Sequence, residues 1–158
     1  MADYKAFRDA IAGVIQAEAP NSGNVHHYER NLFDWNKYLA EFVSTIQGKR
    51  QTRGWWVTRE RRIHDNDSAR DSGAAFGQYN AEHQFVVRGI LGVQDAADTD
   101  AVFGDLCDDV IEAMESMAIT GAWNIGPCVL RVQEPRQFGS VLCHYAEILV
   151  PVQKVYAR

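Results

Sequence analysis

Glu82-His83-Gln84-Phe85-Val86-Val87-Arg88-Gly89-Ile90-Leu91-Gly92-Val93-Gln94, followed after a short Asp-rich turn by Thr99-Asp100-Ala101-Val102-Phe103-Gly104-Asp105-Leu106-Cys107-Asp108-Asp109-Val110-Ile111, decides the fold. The first segment is dense in β-branched and aromatic residues and reads as a strand. Gly89 and Gly92 predict a bulge or a bend in it. In the second, Phe103, Leu106, Val110, Met114 and Met117 recur at helical spacing, with Ile111 flanking. That is a helix to about Met117, with Asp98 as its N-cap and Thr120-Gly121 as its stop.

Toward the N-terminus, Gly54 to Ile63 reads as a second strand, with Trp55, Val57 and Ile63 on one face and Arg59 and Arg61 sharing it. Before it, Leu32, Trp35, Leu39, Phe42, Val43 and Ile46 predict a helix from about Phe33 to Gln47. Val25 to Arg30 carries a weak strand signal. Tyr4, Phe7, Ile11 and Val14 give a first helix from Asp3 to Ala17, capped by Asp3 and closed before Pro20. Toward the C-terminus, Val129 to Gln133 is a short strand. Val141 to Val155 is a long one, and Pro151 suits it to an edge or a bulge. His64 to Ala81 has no period and predicts a long polar loop or arm.

This order predicts an α+β domain: a mostly antiparallel sheet of about four to five strands with helices packed on one face. The chain has 158 residues, enough for a single domain over 1–158 with its own core. Phe7, Ile11, Trp35, Leu39, Phe42, Val87, Phe103, Leu106, Val110 and Ile148 are the expected core. Apolar residues are 46% and charged residues 23%, an ordinary globular balance that argues against wholesale disorder. No apolar run approaches the roughly 18 residues that cross a bilayer, and Met1-Ala2-Asp3-Tyr4-Lys5 does not open a secretory signal. Cys107, Cys128 and Cys143 are odd in number and form no CxxC, so buried thiols in a reducing compartment are expected.

The formal net charge is -5, which makes nucleic acid an unexpected partner. Charge is nonetheless sorted along the chain. Lys49 to Arg62 holds Lys49, Arg50, Arg53, Arg59, Arg61 and Arg62 against the single acid Glu60. Asp95 to Glu115 holds acids, including Asp105, Asp108, Asp109 and Glu112, and no base. Opposite patches on one chain suit a head-to-tail contact between copies; neutralisation within one copy is the competing expectation.

Catalytic constellations are weak. His26 and His27 are neighbours and face apart, as do Cys143 and His144. His64, His83 and His144 are isolated in sequence. No GxSxG, P-loop or GxGxxG occurs. Trp55 and Trp56 beside arginines suit a core more than a stacking platform for bases. No catalytic, cofactor or metal residues are therefore expected. A small hydrolase or metal enzyme and a nucleic-acid module are the minor alternatives to an assembly protein.

The run Asn24-Val25-His26-His27-Tyr28-Glu29-Arg30, then Trp35 and Leu39, then Gly54-Trp55-Trp56-Val57-Thr58-Arg59, joins several later elements. These are the strand with Val86, Val87 and Gly89, the helix with Asp105, Val110 and Ile111, and the closing strand Tyr145-Ala146-Glu147-Ile148-Leu149-Val150-Pro151-Val152. Together they resemble the tail-terminator (tail-completion) proteins of long-tailed bacteriophages. The resemblance covers most of the chain by element order. It implies a homo-hexameric ring that caps the tail tube, stops its polymerisation and joins the tail to the head connector. The implied partners are copies of the chain, the tail-tube protein and a head-completion or connector protein, in the tail or neck of a virion assembled in the host cytoplasm. The resemblance implies no sequence-specific nucleic-acid partner, although DNA can pass through the ring lumen. Another neck component, for head completion or connection, is the nearest alternative. The family brings no catalytic residues, and His64 to Ala81 matches none of its motifs.

Overall fold

The computed structural model describes residues 3–29, 34–65, 78–94, 97–122 and 124–157. Helix α1 (Asp3–Glu18) buries Phe7, Ile11, Ala12 and Ile15, the stripe that its apolar spacing dictates. A 3-10 turn (Pro20–Ser22) leads into β1 (Asn24–His26). Helix α2 (Trp35–Ala40) is capped by Asp34, whose carboxylate accepts from the backbone N–H groups of Asn36 and Lys37. Then come β2 (Val43–Ile46), β3 (Lys49–Asp65) and β4 (Gln78–Gly92). Helix α3 (Thr99–Ser116), β5 (Asn124–Ile125), β6 (Val129–Phe138) and β7 (Val141–Ala157) complete the chain.

The fold is α+β, as expected, but the sheet is larger and mixed. Its path is β1-β3-β4-β7, and β7 carries both β5 and β6 along its outer edge. β1 runs parallel to β3; every other pairing is antiparallel, including a short ladder between β2 and the start of β3.

Adjacent strand residues point to opposite faces, and Trp55 and Trp56 show the result. Trp55 packs under α1 and α3 with Phe7, Ile11, Phe103, Leu106, Val110 and Ile148. Trp56 packs on the other side with Tyr38, Leu39, Phe42, Ile90 and Tyr145. Helices therefore cover both faces, not one. The expected 33–47 helix ends at Ala40 because Val43-Ser44-Thr45-Ile46 pairs with β3 instead. Nine of the ten expected core residues are buried; Trp35, at 52% exposed, is not. It caps α2 from outside, edge-on to Tyr38.

Gly89 and Gly92 make no bulge, since β4 pairs in unbroken register with β7. Gly89 is there because the Trp55 indole lies over it: a Cβ would meet ring atoms at 2.5 and 2.6 Å. The bulge falls on β3, where Arg59 faces Phe85 and Arg61 faces Gln84, leaving Glu60 extra. It separates the two arginines expected on one face: Arg59 stays on the α1 side, Arg61 moves to the other and Arg62 returns to the α1 side. The ends of the polar stretch are strand, with His64 opposite Ala81 and Asp65 opposite Asn80. The remainder of the expected arm, 66–77, lies outside the described residues.

Candidate functional site

The basic run divides along β3: Lys49, Arg50 and Arg53 lie at its start, where Lys49 and Arg53 share a groove with Asp105 and Asp109 of α3, and Arg59, Arg61 and Arg62 lie toward its far end. At the far end Arg59, Arg61 and Arg62 are exposed. The Arg59 guanidinium lies 4.7 Å from the centre of the Tyr4 ring, and that of Arg62 lies 4.7 Å from the centre of the Tyr156 ring. Arg61 Nε donates to Gln84 Oε1 at 2.5 Å, on the other face. None of the three meets a carboxylate among the described residues.

A polar chain under these arginines fixes their platform. Lys154 Nζ and the Tyr156 hydroxyl each donate to the Asp3 carboxylate at 2.7 Å. Because Tyr156 gives its proton to Asp3, its oxygen accepts from His83 Nε2 at 2.9 Å. That leaves His83 Nδ1 as an acceptor facing Arg59 NH1 at 3.4 Å. His83 is 1% exposed, and burial with Arg62 and Arg59 nearby pushes its pKa down to about 4. Hydrogen bonds from Lys154 and Tyr156 lower that of Asp3; burial, then the Asp3 bond, pushes Tyr156 up to about 12. The neutral imidazole thus joins β4 to β7 and to the first turn of α1.

Arg53 has a different role from the one its charge suggested. It is 7% exposed, so it is internal rather than part of a contact surface. NH1 donates to Asn21 O and NH2 to Gln51 Oε1, each at 2.8 Å, while Nε has no partner. Desolvation lowers its pKa. Gly23, at φ 91, leaves room for it: a Cβ there would stand 2.9 Å from Arg53 Cγ.

On α3, Asp105, Asp108, Asp109 and Glu112 are exposed and form no ion pair among the described residues. Asp105 and Asp109, like Asp108 and Glu112, stand one turn apart and repel, and no base occupies the last turn. Asp105 and Asp109 form one wall of a groove of about 430 Å³; Lys49, Gln51 and Arg53 form the other. Past Asn21 it continues as a hollow of about 300 Å³ lined by Glu18, Asp109 and Glu112. Asp108 lines neither.

The far arginines, Arg59, Arg61 and Arg62, cannot reach the α3 carboxylates through β3. The extended strand from Arg53 to Arg61 spans roughly 26 Å, and it is paired on β4 throughout that length. Arg59, Arg61 and Arg62 therefore do not reach the α3 carboxylates within one copy, whereas Lys49 and Arg53, from the same basic run, share a groove with Asp105 and Asp109.

The other sequence candidates resolve into local contacts. His26 Nε2 sits 2.9 Å from Glu41 O and His27 Nδ1 3.0 Å from Asp9, so the two serve different neighbours. Cys143 packs in the α2-side cluster while His144 reaches Thr99 at 3.0 Å on the opposite side. Trp55 and Trp56 are both buried, so neither offers a ring to a base. No metal-binding group of His, Cys, Asp or Glu occurs among the described residues. A second polar network escaped the sequence reading. Arg88 Nε donates to Glu147 Oε1 at 3.1 Å, Arg88 also donates to Thr58 Oγ1, and Tyr145 donates to Glu147 at 2.5 Å. Arg131 on β6 reaches across the same face to Glu60 at 2.6 Å. The available signal was that Arg88 and Glu147 each interrupt an apolar strand. No protein-family model matches the chain, and no curated protein matches it.

Proposed function

We propose that the chain is a structural assembly protein that closes head to tail into a ring, acting as a tail terminator of a long-tailed bacteriophage. In this reading a hexameric ring caps the tail tube, stops its growth and presents a surface to the head-completion or connector protein. The element order that resembles that family supports it. The observation that carries the self-assembly is the split of unpaired charge: arginines at one end of β3, carboxylates on α3 near the other, and a strand too long to let them meet within one copy. A contact between unlike patches repeats identically until it closes.

Single exposed pairs contribute only about 0–1 kcal/mol, so the test needs several substitutions together. Light scattering at low and high salt should show a ring for the parent chain and a smaller species for the Arg59→Glu, Arg61→Glu, Arg62→Glu variant. The parent should also arrest growth of purified tail tubes. A chain that stays monomeric at every concentration and leaves tube growth unchanged would rule the reading out.

A further inference from the structure

We infer that the groove between α3 and the β2–β3 ladder is the socket for the far end of β3 from a second copy, with Asp105 and Asp109, rather than Asp108, receiving Arg59 and Arg62. The inference rests on the self-assembly reading and assigns its contact residue by residue.

Three observations converge on it. First, spacing: Arg59 and Arg62 face Phe85 and His83, two positions apart on β4, so they project from the same side roughly 7 Å apart along the strand. Asp105 and Asp109 are separated by roughly 6 Å of helical rise. The two rows match. Second, the guanidiniums are already ordered. The Tyr4 and Tyr156 rings hold them from one side, Arg59 NH1 faces His83 Nδ1 and Arg62 NH2 donates to the Tyr79 hydroxyl, and each guanidinium keeps further N–H groups for a carboxylate. Third, the strand and groove complement each other beyond these side chains. β1 covers β3 only from Gly54 to Trp56, so among the described residues the outer edge of β3 beyond Trp56 pairs with no strand. Alternate residues along that edge turn both N–H and C=O outward. The wall opposite Asp105 and Asp109 carries Lys49, whose ammonium is a donor for the edge carbonyls. The socket thus offers carboxylates to the arginine side chains and the Lys49 ammonium to an edge carbonyl. A copy cannot fill its own socket, because its β3 runs away from it.

The experiment compares the parent with three variants at low salt by sedimentation and light scattering, with circular dichroism to verify folding. Asp105→Lys with Asp109→Lys should raise the concentration for half-assembly on the order of 100-fold, the scale of losing two close charge pairs. Asp108→Lys, on the same helix but outside the groove, should shift it by less than about 3-fold. Adding Arg59→Glu and Arg62→Glu to the first variant should restore assembly. Equal losses from Asp108→Lys, or no restoration in a folded swap, overturn the socket while leaving ring formation by the parent intact. A monomeric parent overturns both.

Discussion

Replacing Gly89 with alanine adds one methyl group and should destabilise the fold out of proportion to its size. The new Cβ would stand 2.5 Å from Trp55 Cε3 and 2.6 Å from Cη2, so the ring would have to retreat by roughly 1 Å to reach ordinary contact. It has nowhere to go. Trp55 is fully buried and stacks on Phe103 at 6.0 Å, itself held among Leu106, Val110 and Ile148. Overpacking of this kind costs about 1–3 kcal/mol, and a packed ring on both sides places Gly89→Ala at the upper end. Gly92→Ala is the internal control: its Cβ would meet only Thr52 at 3.5 Å, so it should be neutral or stabilise by up to about 1 kcal/mol through the unfolded chain. Urea unfolding at one fixed, low protein concentration measures both, because assembly would otherwise add its own stabilisation. Trp55→Phe removes the colliding ring, so in that background Gly89→Ala should cost less than about 1 kcal/mol. Equal costs for Gly89→Ala and Gly92→Ala, or an undiminished cost in the Trp55→Phe background, would refute the account of this glycine.

Phe103→Ala should lose about 3–5 kcal/mol in the same assay, since the ring is fully buried between Trp55 and His144; a loss below roughly 1 kcal/mol would mean that α3 is held by something else. His83 provides a test by pH. Its folded pKa of about 4 lies below the usual value near 6.5, so the unfolded chain takes up the proton first. Stability should therefore fall as pH drops from about 6.5 toward 4, by at most about 3 kcal/mol from this group. His83→Gln, though less stable at neutral pH, should lose less across that window; an identical slope would place the pH dependence in other groups.

Periodicity resolved the elements whose surroundings are uniform. The stripes of α1 and α3 each meet one apolar sheet face, so apolar spacing alone located them. It failed where one stretch serves two structures. Leu39, Phe42, Val43 and Ile46 fit a helical stripe, yet Phe42 is the hinge at which a short helix gives way to a strand. Only pairing with β3 makes that choice. The bulge at Glu60 left no mark in composition, and it alone decides that Arg59 and Arg62, not Arg59 and Arg61, share a face. Charge sorting was legible, but burial was not: Arg53 belongs to the basic run by sequence and to the interior by position. Its escape from solvent depends on Gly23, Asn21 and Gln51, which adjoin it only after folding.

The sheet serves as the common wall of two interiors of unequal size, and this gives the molecule two levels of cooperativity. The layer beneath α1 and α3 draws on every long strand. The layer beneath α2 rests on a six-residue helix and one ring cluster around Trp56, Tyr145 and Phe138. Sub-global opening should begin on that thinner side, because fewer buried groups resist it. The far layer, with the β3 platform and the α3 carboxylates, would then stay folded while α2 lifts. One side of the sheet can thus breathe while Arg59, Arg62 and the α3 carboxylates keep their places on the other.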